Sequence, residues 1–396
     1  MRVDILSREY PPEVYGGAGV HLEYLARELR QLIEVDVHCF GRPRDEAGVT
    51  AHSPDAQLRD AGANAALLTM STDLSIAAAT AGADLVHSHT WYANFAGHVS
   101  KLLRDVPHVV TTHSLEPLRP WKAEQLGGGY ALSSFCERTA IEAADAVVAV
   151  SAGMAEDVAR CYPAIDPGRL HVIHNGIDTD EYKPTSDRSV LSEHGIDLDR
   201  PLVIFVGRMT RQKGLPYLLK AAHAFRPDAQ LAVLASAADT PEIADEVEAG
   251  IVTLQERRDG VYWIREMLPK LELIQLFSAA SVFVCPSIYE PMGIVNLEAM
   301  ACETAVVATR TGGIPEVVAD GECGTLVPID PDPDDPYGAP RDPDAFAGAF
   351  ADAVNALIDD PAQATAMGVA GRKRAVENFS WTAIAERTRD LYASLL

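Results

Sequence analysis

Two doubly wound α/β domains of Rossmann-like type are what this sequence predicts, on three observations. Short β-branched apolar runs alternate with amphipathic segments of helical length, as parallel sheets with helical crossovers require. The alternation runs through the first half, breaks at the polar stretch Pro184 to Pro201, and starts again. The chain has 396 residues, 47% of them hydrophobic, which suffices for two separate cores.

In chain order, Val3 to Leu6, Val35 to Phe40, Asp84 to His89, His108 to His113, Ala146 to Ser151 and Leu170 to His174 read as the strands of a first domain, residues 1–184. Between them, the apolar positions Leu22, Leu25, Leu29 and Leu32 keep a helical period. Pro184 to Pro201, charged and without sustained period, reads as a linker. A second domain, residues 185–380, takes its strands from Leu202 to Val206, Gln230 to Ala235, Val261 to Ile264, Ser281 to Cys285, Ala305 to Thr309 and Thr325 to Val327. Pro328 to Pro343, rich in Pro, Asp and Gly, reads as an exposed loop. Helices follow at Asp344 to Leu357 and Ala362 to Asn378, and Trp381 to Leu396 forms a last one. Two such domains imply a cleft between them.

Composition narrows the ligand class. A formal charge of −24 repels nucleic acid and anionic membranes, so a phosphate-bearing small molecule fits only where a local cationic pocket exists. The six cysteines show no C-x-x-C spacing and several lie in apolar runs, so they read as reduced core residues, and no metal site is expected. Nothing approaches the roughly 20 apolar residues of a membrane span. Arg2 and Asp4 interrupt any early apolar run, so a cytoplasmic chain is expected. Homo-oligomerisation is left open.

The most informative stretch is Glu290-Pro-Met-Gly-Ile-Val-Asn-Leu-Glu298, between a buried-strand pattern and a helical one. Pro291 suits a first helical turn, and Gly293 removes a side chain where ligand could touch backbone amides. On a straight helix Glu298 lies roughly 12 Å beyond Glu290. Carboxylates so far apart cannot share a proton or a metal. They can hold hydroxyls at two ends of an elongated ligand, such as a sugar and a ribose joined by a diphosphate. Upstream, the run Val203 to Val206 ends in Gly207-Arg208, and Lys213-Gly214 closes the loop before a helix from Leu215 to Ala224. Ligands in open α/β sheets bind outside the carboxyl ends of strands, and a guanidinium fork with an ammonium can neutralise a diphosphate. With only seven lysines in the chain, Lys213 in this loop reads as a ligand contact.

In the first half, Gly16-Gly17-Ala-Gly19 lies at a strand-to-helix turn where glycines and a helix N-terminus admit phosphate oxygens. A dinucleotide-binding fingerprint fails on spacing, because Leu22 occupies its third glycine position. The loop Leu115-Glu-Pro-Leu-Arg119-Pro-Trp121-Lys122 crowds two cations and an aromatic, suited to an anionic acceptor and to stacking on a sugar ring. Asn175-Gly176 reads as a turn because Asn-Gly accepts positive φ cheaply, and Thr311-Gly312-Gly313, starting a helix after a strand, reads equally as a turn or as an approach to a nucleotide.

Taken together, the Glu-x7-Glu and Gly-Arg-x4-Lys patterns resemble those of the retaining glycosyltransferases of family 4, which have the two-domain GT-B fold. The resemblance implies that Arg208 and Lys213 hold a donor diphosphate, Glu290 the transferred sugar with the amides near Met292, Gly293 and Ile294, and Glu298 the ribose. It places His113 at the reacting centre, orienting the sugar, and sends the last helix back onto the first domain. Two departures stand out from the bacterial glycogen synthases. Val14 replaces a lysine two residues before the paired glycines, and Thr90 replaces an aspartate in His87-Ser-His89-Thr90-Trp91. The loop around Arg119, Trp121 and Lys122 is similar to that of the actinobacterial glycogen synthase and α-maltose-1-phosphate synthase branch. This likeness implies metal-independent transfer from ADP-glucose to glucose-1-phosphate, with glucan elongation as the alternative. A nicotinamide dehydrogenase and a non-catalytic sugar-nucleotide sensor are the more distant readings.

Overall fold

Every strand expected from the sequence forms, and each lies in one of two all-parallel sheets of the computed structural model, which describes residues 1–14, 16–119, 122–123, 127–236 and 238–396. The chain divides into two units, Met1–Gly176 with Trp381–Leu396, and Ile177–Ser380.

The first unit carries a seven-stranded sheet in the order β3-β2-β1-β4-β5-β6-β7. These strands are β1 (Arg2–Ser7), β2 (Glu34–Phe40), β3 (Val49–His52), β4 (Leu85–His89), β5 (His108–Thr112), β6 (Ala146–Ala149) and β7 (Leu170–Val172). Strand β3 was not expected. It is a four-residue edge strand with one buried side chain, too short and too exposed to leave an apolar period. In β4, β5 and β6 every side chain is buried; β6 reads as an unbroken apolar run, while β4 and β5 also bury His87, His89 and His108.

The second unit holds six strands in the order β10-β9-β8-β11-β12-β13. They are β8 (Leu202–Val206), β9 (Gln230–Leu234), β10 (Val261–Ile264), β11 (Val282–Cys285), β12 (Ala305–Thr309) and β13 (Gly324–Val327). Their side chains pack with Leu215, Leu218, Phe346 and Phe350 into one core. Pro184 to Pro201 is not a loose linker. It contains the helix Ser189–Glu193, whose Val190 and Leu191 are buried, and Gln275 Oε1 accepts a hydrogen bond from Val190 N–H at 3.0 Å. A single turn anchored by a distant side chain leaves no periodic trace in sequence.

The last helix, Trp381–Leu395, belongs to the first unit and packs on the helix Gly17–Leu29. Trp381 stacks on Tyr24 with centroids 5.6 Å apart, and Tyr392 is fully buried in the same core. Gly176 answers to this contact. Its φ is not positive, contrary to the turn expectation, but a Cβ there would lie 2.6 Å from the Trp381 ring. Trp381→Ala removes an indole buried to 3% exposure and should destabilise the protein by about 3–5 kcal/mol, seen as a lowered midpoint in thermal unfolding.

Candidate active site

Strand order reverses between β8 and β11 in the second unit, so the loops leaving these strands meet at one carboxyl edge, the usual ligand position of open α/β sheets. After β8 the chain passes Arg208 into a tight turn, Arg211–Lys213, where Thr210 Oγ1 accepts from Lys213 N–H at 3.3 Å. Gly214 then adopts φ +64°, and a Cβ there would lie 2.0 Å from the Pro286 carbonyl oxygen. Only glycine lets this loop close on the one after β11. The closure brings Lys213 Nζ within 2.6 Å of Glu290 Oε2, which also accepts from Ser287 Oγ at 3.0 Å. Burial disfavours the ammonium, but the Glu290 carboxylate outweighs it and the Lys213 pKa is raised. Arg208 Nη1 donates to Asp239 Oδ1 at 2.8 Å. Neither cation therefore stands bare, as the sequence suggested. Each is part-buried and carries an anion, which offsets its desolvation. Lys213 has three N–H donors, so its bond to Glu290 leaves two for a ligand.

The helix after Glu290 starts later than expected. It spans Ile294–Ala301, with Gly293 as its N-cap at φ +85° and no side chain capping it. Pro291 therefore precedes the first turn, Glu290 stands outside the helix, and straight-helix spacing does not relate the two glutamates. The cause lies at Gly293, where a Cβ would meet Asn296 Nδ2 at 2.4 Å and Glu290 Cγ at 3.2 Å. Met292 is buried and Ile294 half-buried, so any ligand contact from them comes through the backbone at this uncapped helix start. Gly312 and Gly313 clasp Glu290 itself. A Cβ on Gly312, at φ +51°, would lie 2.0 Å from the Glu290 carbonyl oxygen, and Gly313 N–H donates to that oxygen at 3.0 Å. Glu298 accepts from Tyr182 Oη at 3.2 Å. It keeps a partly open face, yet desolvation lifts its pKa to about 7.

In the first unit the reversal falls between β1 and β4. Here four imidazoles gather. His89, ending β4, has Nδ1 3.1 Å from Nε2 of His113, just past β5. His21, on the helix Gly17–Leu29, lies with its ring centroid 4.7 Å from that of His113, and its Nδ1 is 2.6 Å from Asn175 Oδ1. His87 is held by Tyr392 Oη and Thr111 Oγ1 at 2.6 and 2.7 Å. Burial depresses the pKa of His113 well below the ordinary value, helped by His21 and His87, so the ring is neutral at pH 7 and acts as a hydrogen-bonding group. His21, His89 and His113 each bring a ring nitrogen within 4.8 Å of the others, a spacing able to ligate a metal ion. The sequence reading singled out only His113 of these three. Thr90 holds φ 63° and ψ 164° beside them, a conformation that costs a β-branched residue about 1–3 kcal/mol.

The glycine-rich turn already holds an anion. Gly16 N–H donates to Glu9 Oε2 at 2.8 Å, and a Cβ on Gly19 would lie 2.7 Å from the same oxygen. Gly17 opens the helix behind it, which no side chain of the cap residue closes. Arg119 follows the short helix Glu116–Leu118, and its Nη1 donates to Ser114 Oγ at 3.0 Å. Lys122, read as a cation for an anionic acceptor, is only 6% exposed and works electrostatically on buried Glu116. Trp121 lies outside the described residues. Beneath this loop is a pair that the sequence did not disclose. Glu137 Oε1 accepts from Glu116 N–H at 2.8 Å and from the Tyr162 hydroxyl, and burial beside Glu116 holds the Glu137 carboxyl well above the carboxylate range.

Known proteins match this arrangement along the chain. Residues 15–181 match the family model of Glycosyltransferase Family 4, and residues 200–360 that of Glycosyl transferases group 1. The α-maltose-1-phosphate synthase of Mycolicibacterium smegmatis is 58% identical over 395 residues, covering 99% of each chain. That of Mycobacterium tuberculosis is 55% identical with the same coverage. Among solved structures, sucrose-phosphate synthase from Thermosynechococcus elongatus superposes with a TM-score of 0.78 at 25% identity, covering 100% of this chain and 98% of that one. Anabaena HepE in complex with UDP-glucose reaches 0.78 at 19% identity with full coverage of both, a likeness of fold. The two sheets are thus the Rossmann-like domains of a GT-B enzyme. Matched on both units and along nearly its whole length, the chain belongs to glycosyltransferase family 4.

Proposed function

We propose that the chain transfers glucose, with retention, from ADP-glucose to glucose-1-phosphate, yielding α-maltose-1-phosphate for α-glucan synthesis. The observation that carries this reading is the 58% identity, over 99% of both chains, to a protein named for that product. The geometry of the second unit supports the donor half. Arg208 and Lys213 take the departing diphosphate and stabilise the charge that develops on it, the largest electrostatic contribution to such a transfer. Glu290, fixed by Ser287 and by the clasp of Gly312 and Gly313, holds the sugar hydroxyls. Glu298 receives the ribose. The neutral imidazole of His113 orients the ring, and the leaving phosphate oxygen takes the acceptor proton on the same face. Since the two cations supply the positive charge, the transfer needs no metal and no further cofactor. No helix among the described residues is long and apolar enough to cross a membrane, which is compatible with a cytoplasmic place for the reaction.

The direct test is product analysis after incubation with ADP-glucose or UDP-glucose and either glucose-1-phosphate or a glucan. A phosphorylated disaccharide formed from ADP-glucose supports the reading. A lengthened glucan without it favours a glycogen synthase.

Lys213→Ala should lower turnover about 10²–10³-fold. Circular dichroism and thermal melts control for the carboxylate of Glu290 left without its partner. Near-normal turnover with normal donor affinity rejects the assignment.

Glu298→Gln should separate stability from function. The folded pKa of Glu298 is raised from 4.5 to about 7, so the folded state favours the protonated form. Its ionisation penalty is absent below the unfolded value, grows as pH rises between the two, and is complete above the folded value. The variant should therefore be more stable than the parent at about pH 8 and no more stable at about pH 4.5. At the same time it should bind ADP more weakly. Urea unfolding at the two pH values and calorimetric ADP titration measure both.

A further inference from the structure

Strands β1, β4 and β5 lie side by side in the first sheet, and the segments leaving their carboxyl ends carry Arg8, Tyr92 and Arg119. Arg8 is exposed, and its guanidinium carbon lies 4.3 Å from the Tyr92 ring centroid. Arg119 uses Nη1 on Ser114 Oγ at 3.0 Å, while its Nε is buried without a hydrogen-bond partner. Burial raises the pKa of the Tyr92 phenol, and the positive charges of Arg8 and Arg119 act to lower it. Glu9 and Glu116 act on that hydroxyl in the opposite sense; Glu9 Oε2 accepts from Gly16 N–H and Glu116 Oε2 from Ser133 Oγ, while Glu116 Oε1 is buried without a hydrogen-bond partner among the described residues, so the two guanidiniums work against two nearby acids.

We infer that Arg8, carried on the Tyr92 ring beside Arg119, forms an anion subsite that holds the phosphate of a sugar-phosphate acceptor. The inference rests on the acceptor named above and identifies what would recognise it. A chain of charge −24 repels a phosphate monoester at a distance, so the acceptor requires positive charge placed locally. A guanidinium meets phosphate with two parallel N–H bonds. Stacking on Tyr92 holds that fork nearly in place before the ligand arrives, which reduces the rotamer entropy lost on binding. A neutral glucan end gains nothing from these groups.

The test is steady-state kinetics of the full chain with ADP-glucose and glucose-1-phosphate. Arg8→Ala should raise KM for glucose-1-phosphate about tenfold or more, the equivalent of about 1.4 kcal/mol, and move KM for ADP-glucose by less than about twofold. Arg8→Lys, which keeps the charge and loses the fork, should fall between parent and alanine variant. An unchanged KM for glucose-1-phosphate in a folded Arg8→Ala variant overturns the inference. So does an equal rise in both constants, which would mark Arg8 as structural. If the parent enzyme gives no product from glucose-1-phosphate, the acceptor reading itself falls, an outcome visible before any variant is made.

Discussion

Backbone meeting backbone is the constraint on which the second unit's site depends. A Cβ at Gly214 or at Gly312 would lie 2.0 Å from a carbonyl oxygen, that of Pro286 in one case and of Glu290 in the other. The two contacts bring three separate loops together around Glu290. One carries Lys213, the second carries Glu290 and Ser287, and the third fixes the Glu290 peptide from behind. Charge follows from this packing. A lysine so enclosed keeps its proton because a carboxylate sits 2.6 Å away, and it keeps spare donors because only one is engaged.

Desolvation acts in the opposite sense on groups lacking such a counter-charge. Glu298 and Glu137 are pushed toward their protonated forms, and His113 toward its neutral form, all chiefly by burial. Burying an ionisable group costs stability, and His113 bears that cost beside a strand-order reversal, whereas Asp73, buried without a hydrogen-bond partner among the described residues on the helix Ala65–Ala79, bears it away from both. The first unit shows the pattern most densely, with four histidines and a strained Thr90 around the ends of β4 and β5.

Much of this was readable in the residues, for a physical reason. Central parallel strands are buried on both faces, so several, such as Ala146–Ala149, Val282–Cys285 and Ala305–Thr309, write unbroken apolar or small-residue runs into the sequence, and among the described residues twelve of the thirteen strands are foreseen. The exception, β3, is an exposed edge strand. The glutamates, Arg208 and Lys213 were visible as a pattern, but their partners were not. Asp239 and Glu9 are single acids in loops, and they become meaningful only when the fold sets them against Arg208 and Gly16. Gly176 was noticed for the wrong property, since an indole distant in sequence, not φ, demands the missing side chain. Lys122 reads from the sequence as an acceptor contact, whereas folding buries it where its charge acts on Glu116. Helix onset after Glu290 was misjudged because proline tolerates several positions near an N-terminus, whereas the contacts against Gly293 permit one.

The carboxylate of Glu9 against the amide of Gly16 has a consequence for selectivity. It is a competitor on a tether. Only seven positions before the turn's Gly16, it presents itself at an effective concentration that free anions of weak affinity do not match. An anion offered to that amide would have to exchange with this carboxylate, which favours a group that makes several contacts at once over a lone inorganic ion. Under the function proposed above, such a turn would sort anions by the number of bonds they offer at once.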